Sequence, residues 1–143
     1  MIAFGCSNLR ELDISYCYLI THESLVVIGK NCPNLKVLKR NRLHPTQHVE
    51  VVPARFLNVS PQDGGSEAAA IANSMPHLEW LAIGYPKLTV KGLKLICQGC
   101  PNLEFLDLSG IATAKLTSQD IDDASSSLLH LKNIKRPCLN LVF

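Results

Sequence analysis

No run of apolar residues in this sequence is long enough to cross a bilayer. The longer ones, such as Leu25-Val26-Val27-Ile28, fall far short of the roughly 20 residues a spanning helix needs. The start, Met1-Ile2-Ala3-Phe4-Gly5-Cys6, has neither a positive flank nor a long apolar core, so it does not read as a secretory signal. A large excess of one charge is missing too. Lys and Arg number 14 against 12 Asp and Glu, leaving +2 with neutral histidines, and such a balance does not by itself point to nucleic acid. Catalytic signatures are also lacking: there is no G-x-S-x-G, no glycine-rich phosphate loop and no metal-binding pair of carboxylates. The chain is therefore expected to be no enzyme, to need no cofactor or metal, and to work inside the cell, in nucleus or cytoplasm, with no membrane partner. In that setting Asn58-Val59-Ser60 is a chance sequon, and the six cysteines are thiols rather than a disulfide framework.

What the chain does have is a composition for one packed domain. Its 143 residues are 47% hydrophobic and 18% charged, which suits a globular chain and hardly leaves room for two domains. It also repeats itself. The stretch Cys6–Ser15, CSNLRELDIS, returns at Cys32–Asn41 as CPNLKVLKRN, at Met75–Gly84 as MPHLEWLAIG and at Cys100–Ser109 as CPNLEFLDLS. A fading fifth copy is Leu128–Pro137. The starts lie 26, 43, 25 and 28 residues apart. The long interval is one period of a 20–29-residue leucine-rich repeat plus about 17 inserted residues. That insertion falls within His44–Gly65, which carries Pro45, Pro53, Pro61 and Gly64-Gly65 and so has loop composition.

Each period has two physical halves. The first alternates, placing Leu12/Ile14, Leu38, Leu81/Ile83 and Leu106/Leu108 on one face of a strand. The second carries apolar pairs three apart, Leu25/Ile28, Ala68/Ile71, Leu93/Ile96 and Ile121/Ala124, which fits one face of a helix. Thr21, Thr89 and Thr117 are positioned to cap three of these helices; Gly29, Gly99 and Pro33, Pro76 and Pro101 are read as closing them. One such unit cannot bury its own apolar face, whereas stacked neighbours share a core. The expected fold is α/β: a leucine-rich repeat solenoid, a right-handed βα superhelix with a curved parallel sheet inside and helices outside. It holds about four and a half repeats in a single domain over 1–143.

The two ends differ. Ile2 stands four residues before Cys6, as Ile28, Ile71 and Ile96 stand before later repeats, so the first residues are expected to close a helix of an incomplete repeat, leaving an uncapped edge. Pro137 cannot donate to a strand ladder and is expected to mark the other edge, with Leu139, Leu141 and Phe143 folding over it.

The Cys-Pro-Asn-Leu-x-x-Leu opening, with Asp-Leu-Ser after it, resembles the cysteine-containing leucine-rich repeats of F-box proteins. Asn8–Cys17 and Gly92–Ser109 are similar to plant F-box/leucine-rich-repeat proteins that interact with the Skp adaptor, and Ser127–Pro137 resembles their ends. The resemblance implies a substrate-recognition role in an SCF-type ubiquitin ligase. On that resemblance the repeats would select the protein to be degraded, and Skp adaptor and cullin would be partners only through an F-box, which this sequence is expected to lack. The alternative is a non-catalytic scaffold or truncated competitor that binds a partner without recruiting the ligase.

Several motifs have a plainer explanation than chemistry. Cys97-Gln98-Gly99-Cys100 is formally a redox C-x-x-C, but the repeat phase puts Cys97 at a helix end and Cys100 at a buried repeat start, where thiols act as small hydrophobes. His44 and His48 have a zinc-compatible spacing only on a helix, and Pro45 argues for a loop. His77 and His130 replace the repeat asparagine and are expected to bond backbone at the turn. Asp120, Asp122 and Asp123 open a helix, where negative charge suits the dipole. The cluster Lys36, Lys39, Arg40 and Arg42, with Lys132, Lys135 and Arg136 more distant, is diluted by acidic neighbours, so no nucleic-acid partner is expected.

Alternation puts the remaining strand residues on the concave face, where a protein substrate is expected to dock. Candidate contact residues are Trp80, Phe105, Lys39, Glu11, Asp13 and Asp107. Trp80 and Phe105 occupy equivalent positions in adjacent repeats, about 5 Å apart laterally. They form either a binding hot spot or a pair that packs on itself or beneath the insertion.

Overall fold

The computed structural model describes residues 7–17, 19–41, 65–84, 88–109 and 116–137. Strand and helix alternate along them: β1 (Glu11–Asp13), α1 (His22–Asn31), β2 (Val37–Asn41), α2 (Gly65–Ser74), β3 (Trp80–Gly84), α3 (Val90–Gly99), β4 (Phe105–Asp107), α4 (Ser118–Ser125) and β5 (Asn133–Lys135). The strands form one parallel sheet in sequence order. An α/β chain with such a sheet and, among the described residues, four helices fits a repeat solenoid. Apart from Gly65, which starts α2, the segment read as an insertion lies outside the described residues, as do His44, His48, Arg42, Cys6 and both chain ends. No helix among the described residues is long and apolar enough to cross a membrane.

One junction recurs at every step of the sheet. The carbonyl of Arg10 accepts the N–H groups of both Lys36 and Val37, at 2.8 and 2.9 Å. The carbonyls of Lys36, Glu79 and Glu104 do the same for Glu79/Trp80, Glu104/Phe105 and Lys132/Asn133. The register that follows aligns Leu12, Leu38, Leu81, Leu106 and Ile134 across all five strands. Leu38, Leu81 and Leu106 are wholly buried, whereas Leu12 and Ile134, on the two outer strands, are only partly so.

The helices pack in sequence order, α1 on α2, α2 on α3 and α3 on α4. All eight residues picked out by the three-residue spacing, from Leu25 to Ala124, lie in the core with the strand leucines. Since strand and helix side chains join one cluster, the helix layer covers the leucine face of the sheet. The opposite face carries no helix among the described residues.

The helix ends partly depart from expectation. Thr89 accepts from the Gly92 N–H, and Thr117 forms a reciprocal capping box with Asp120. Thr21 holds the N-cap position of α1, but its side chain makes no cap hydrogen bond. Gly29 lies inside α1, whereas Gly99 is the last residue of α3 as expected, and close packing is what requires both. A Cβ on Gly29 would sit 2.5 Å from the Ser74 carbonyl oxygen, and one on Gly99 would collide with the Ala72 backbone. Both glycines thus let α1 and α3 approach α2 from either side. The helices stop instead at Cys32, Met75 and Cys100, each donating its N–H back to the fourth residue before it at 2.9 Å, with Pro33, Pro76 and Pro101 immediately after.

Candidate functional site

Residues alternating with the core leucines form two rows across the helix-free face. One row is Glu11, Val37, Trp80, Phe105 and Asn133; the other is Asp13, Lys39, Ala82, Asp107 and Lys135. All six candidate contact residues fall in these rows. Trp80 and Phe105 meet edge to face, ring centroids 5.2 Å apart at 63°. The Lys39 ammonium lies 4.7 Å from the Trp80 ring centroid, within cation–π range. The aromatics therefore pack on each other and still face outward, each half-buried. Lys39, Trp80 and Phe105 make one continuous feature over three strands.

The acidic candidates are arranged differently. Asp13 Oδ1 accepts the Ser15 N–H at 3.0 Å, and Asp107 Oδ1 accepts the N–H and hydroxyl of Ser109 at 2.9 and 2.7 Å. These side-chain turns close β1 and β4, so both carboxylates already hold backbone. Glu11 is exposed and has no such bond among the described residues.

Among the described residues the basic cluster does not assemble. Lys36 reaches Glu79 at 3.5 Å, Lys39 lies over Trp80, and Arg42 is outside the described residues. Lys132 pairs with Glu104 at 2.8 Å and Arg136 with Asp122 at 2.6 Å. The Lys132–Glu104 hydrogen bond holds that carboxyl below its ordinary range and raises the ammonium.

Arg40 is wholly buried. It occupies the core slot held by Ile83 on β3, with which it is in register. Its Nε donates to Glu67 at 2.9 Å, Nη1 to the carbonyls of Ile14 and Cys17 at 3.0 Å, and Nη2 to Ile20 at 2.7 Å and to the second Glu67 oxygen at 3.5 Å. Five donors thus meet five acceptors, as a buried guanidinium requires. Grouping Arg40 by charge missed this. The usable signal was phase, since Arg40 sits two residues after Leu38 and so points inward.

The cysteines and aspartates of the other motifs are engaged within the fold. Cys97 lies near the end of α3, and burial pushes its thiol up to about 11. Burial, and next the Cys97 charge, push Cys100 up to about 12, and its Sγ donates to the Met75 carbonyl at 3.4 Å. Asp120 caps α4, Asp122 holds Arg136 and Asp123 accepts from Gln119. Asn34 donates to the Ser7 carbonyl at 3.3 Å. His77 and His130, in that same slot, are exposed and make no hydrogen bond among the described residues, contrary to expectation.

No family model matches the chain. It is similar to F-box protein SKIP1 of Arabidopsis thaliana, 51% identical over 137 residues that cover 95% of this chain and 45% of that protein. F-box/LRR-repeat protein 19 of the same plant is 47% identical over 108 residues, 73% of this chain and 35% of the relative. F-box protein FBW2 is 38% identical over 118 residues, 82% and 34% respectively. The chain spans less than half the length of these curated relatives.

Proposed function

From the premise that the chain is a homologue of plant F-box and F-box/leucine-rich-repeat proteins, we propose that it is the substrate-recognition part of an SCF-type ubiquitin ligase. It binds the protein to be degraded on the helix-free sheet face and carries out no chemistry itself. Skp adaptor and cullin belong to the same reading, reached through an F-box, and the site of action is the nucleus or cytoplasm. The finer architecture is part of the proposal: one domain, repeats starting near residues 6, 32, 75, 100 and 128, a loop inserted within 44–65, and strands lining the inside of a right-handed arc.

The observation that carries this reading is the Trp80–Phe105 pair with Lys39 over it. Aromatic anchors ringed by polar groups dominate the energy of many protein interfaces. The test is capture of partners from plant cells with the proteasome blocked, comparing the native chain with Trp80→Ala/Phe105→Ala. Proteins that accumulate under the block should be retained by the native chain and lost by the variant. Retention of the same set by a folded double variant overturns the proposal.

A further inference from the structure

The ion pairs among the described residues all lie off the open face. Lys36–Glu79 and Glu104–Lys132 join residues one position ahead of the strands, Arg136–Asp122 ties β5's exit to α4, and Arg40–Glu67 is in the core. On the open face the charges differ: Glu11, Lys39 and Lys135 have no ion pair among the described residues. Their distribution is polar. Lys39 leans over Trp80, toward β3, which leaves on β1 the exposed Glu11 carboxylate and, beside it, the exposed Asp13, one of whose oxygens accepts the Ser15 N–H. At the far side Lys135 stands exposed on β5, next to an Asp107 whose carboxylate is folded onto Ser109. The aromatic pair lies between the two ends. A polyanion such as nucleic acid would meet repulsion at Glu11 and Asp13. A peptide of mixed charge has a complement at each end.

Resting on the proposed binding role of this face, we propose that it takes an extended protein segment running across the strands in one orientation. An apolar side chain of that segment sits on Trp80 and Phe105, a basic side chain reaches Glu11 and Asp13, and an acidic one reaches Lys135. Strand spacing sets the distances. From the midpoint of β3 and β4, β1 lies about 12 Å away and β5 about 7 Å, at roughly 4.8 Å per strand. At about 3.3 Å per extended residue, the basic group lies three or four positions from the apolar anchor and the acidic group about two on the other side.

The test is selection of a phage-displayed library of random linear peptides on the whole 143-residue chain. The expected result is an enriched motif with that asymmetric spacing. Exchange of Glu11→Lys together with Asp13→Asn, which keeps an oxygen for the Ser15 N–H, should turn the preferred basic residue acidic and weaken the original peptides about tenfold; Lys135→Glu should invert the other end. Peptides that need Trp80 and Phe105 but show no charge preference, or keep it after the exchanges, overturn the polarity and leave the binding face standing. Peptides that still bind a folded Trp80→Ala/Phe105→Ala chain overturn the face as well. Absence of any enriched motif overturns the extended-segment proposal.

Discussion

Arg40, near the end of β2, and Glu67, in the first turn of α2, form a 2.9 Å ion pair with neither side chain exposed to solvent. Arg40 also donates to the carbonyls of Ile14, Cys17 and Ile20, which lie in the loop between β1 and α1. In that loop Tyr16 takes a φ of 64°, a left-handed conformation unusual for a bulky residue. The guanidinium holds the carbonyls on either side of it.

Arg40→Ala should destabilise the chain by about 3–5 kcal/mol, because it removes the buried ion pair of Glu67 and takes the donor from one buried and two part-buried carbonyls. Arg40→Met with Glu67→Leu removes both charges and should recover much of the loss. Urea unfolding of the three proteins checks this. Equal losses for the single and double variants would mean that the carbonyl bonds, not the ion pair, dominate.

Gly99→Ala and Gly29→Ala should each destabilise by about 1–3 kcal/mol, since the added methyl must push α2 away. The sign is informative. In an exposed helix the same change stabilises by about 0.5–1 kcal/mol. Thermal unfolding distinguishes the two, and a rise in midpoint would contradict the close helix contact.

Thr117→Ala should cost about 1 kcal/mol through loss of the capping box, whereas Thr21→Ala should cost much less because that hydroxyl makes no cap bond. Denaturant midpoints of the two variants, measured side by side, check the difference.

Cys97 and Cys100 make stability fall with alkali. Their folded-state pKa values, about 11 and about 12, stand above the 9.0 of a free thiol, so between pH 9 and 12 the unfolded chain releases protons that the folded one keeps. The stabilisation is whole below pH 9 and lost as pH rises through the folded values. Unfolding followed from pH 8 to 11 should show this decline, smaller in Cys97→Ala. At pH 8, thiol reagents should modify exposed Cys17 well before either buried cysteine.

Much of the framework was legible because two periodicities carry it. Alternation named Leu38, Leu81 and Leu106, and the three-residue spacing named Leu25/Ile28 through Ile121/Ala124; all are buried. The lateral pairing of Trp80 with Phe105 followed from register alone. Contacts set by the third dimension were not legible. The close approach of α2 to Gly29 and Gly99 has no mark in the spacing, and Arg40 looks like surface charge until Glu67, 27 residues later, is brought beside it. The partner choice of each threonine and histidine also depends on angles that spacing does not specify.

Trp80 is the single tryptophan of the chain and lies at the centre of the proposed binding face, so its fluorescence reports on that face alone. Titrating the native chain with a captured partner protein free of tryptophan is the most direct test. The account predicts a saturable change in Trp80 emission whose midpoint matches binding measured independently, with that binding lost in Phe105→Ala. Tight binding that leaves Trp80 emission unchanged would place the partner elsewhere and contradict the account.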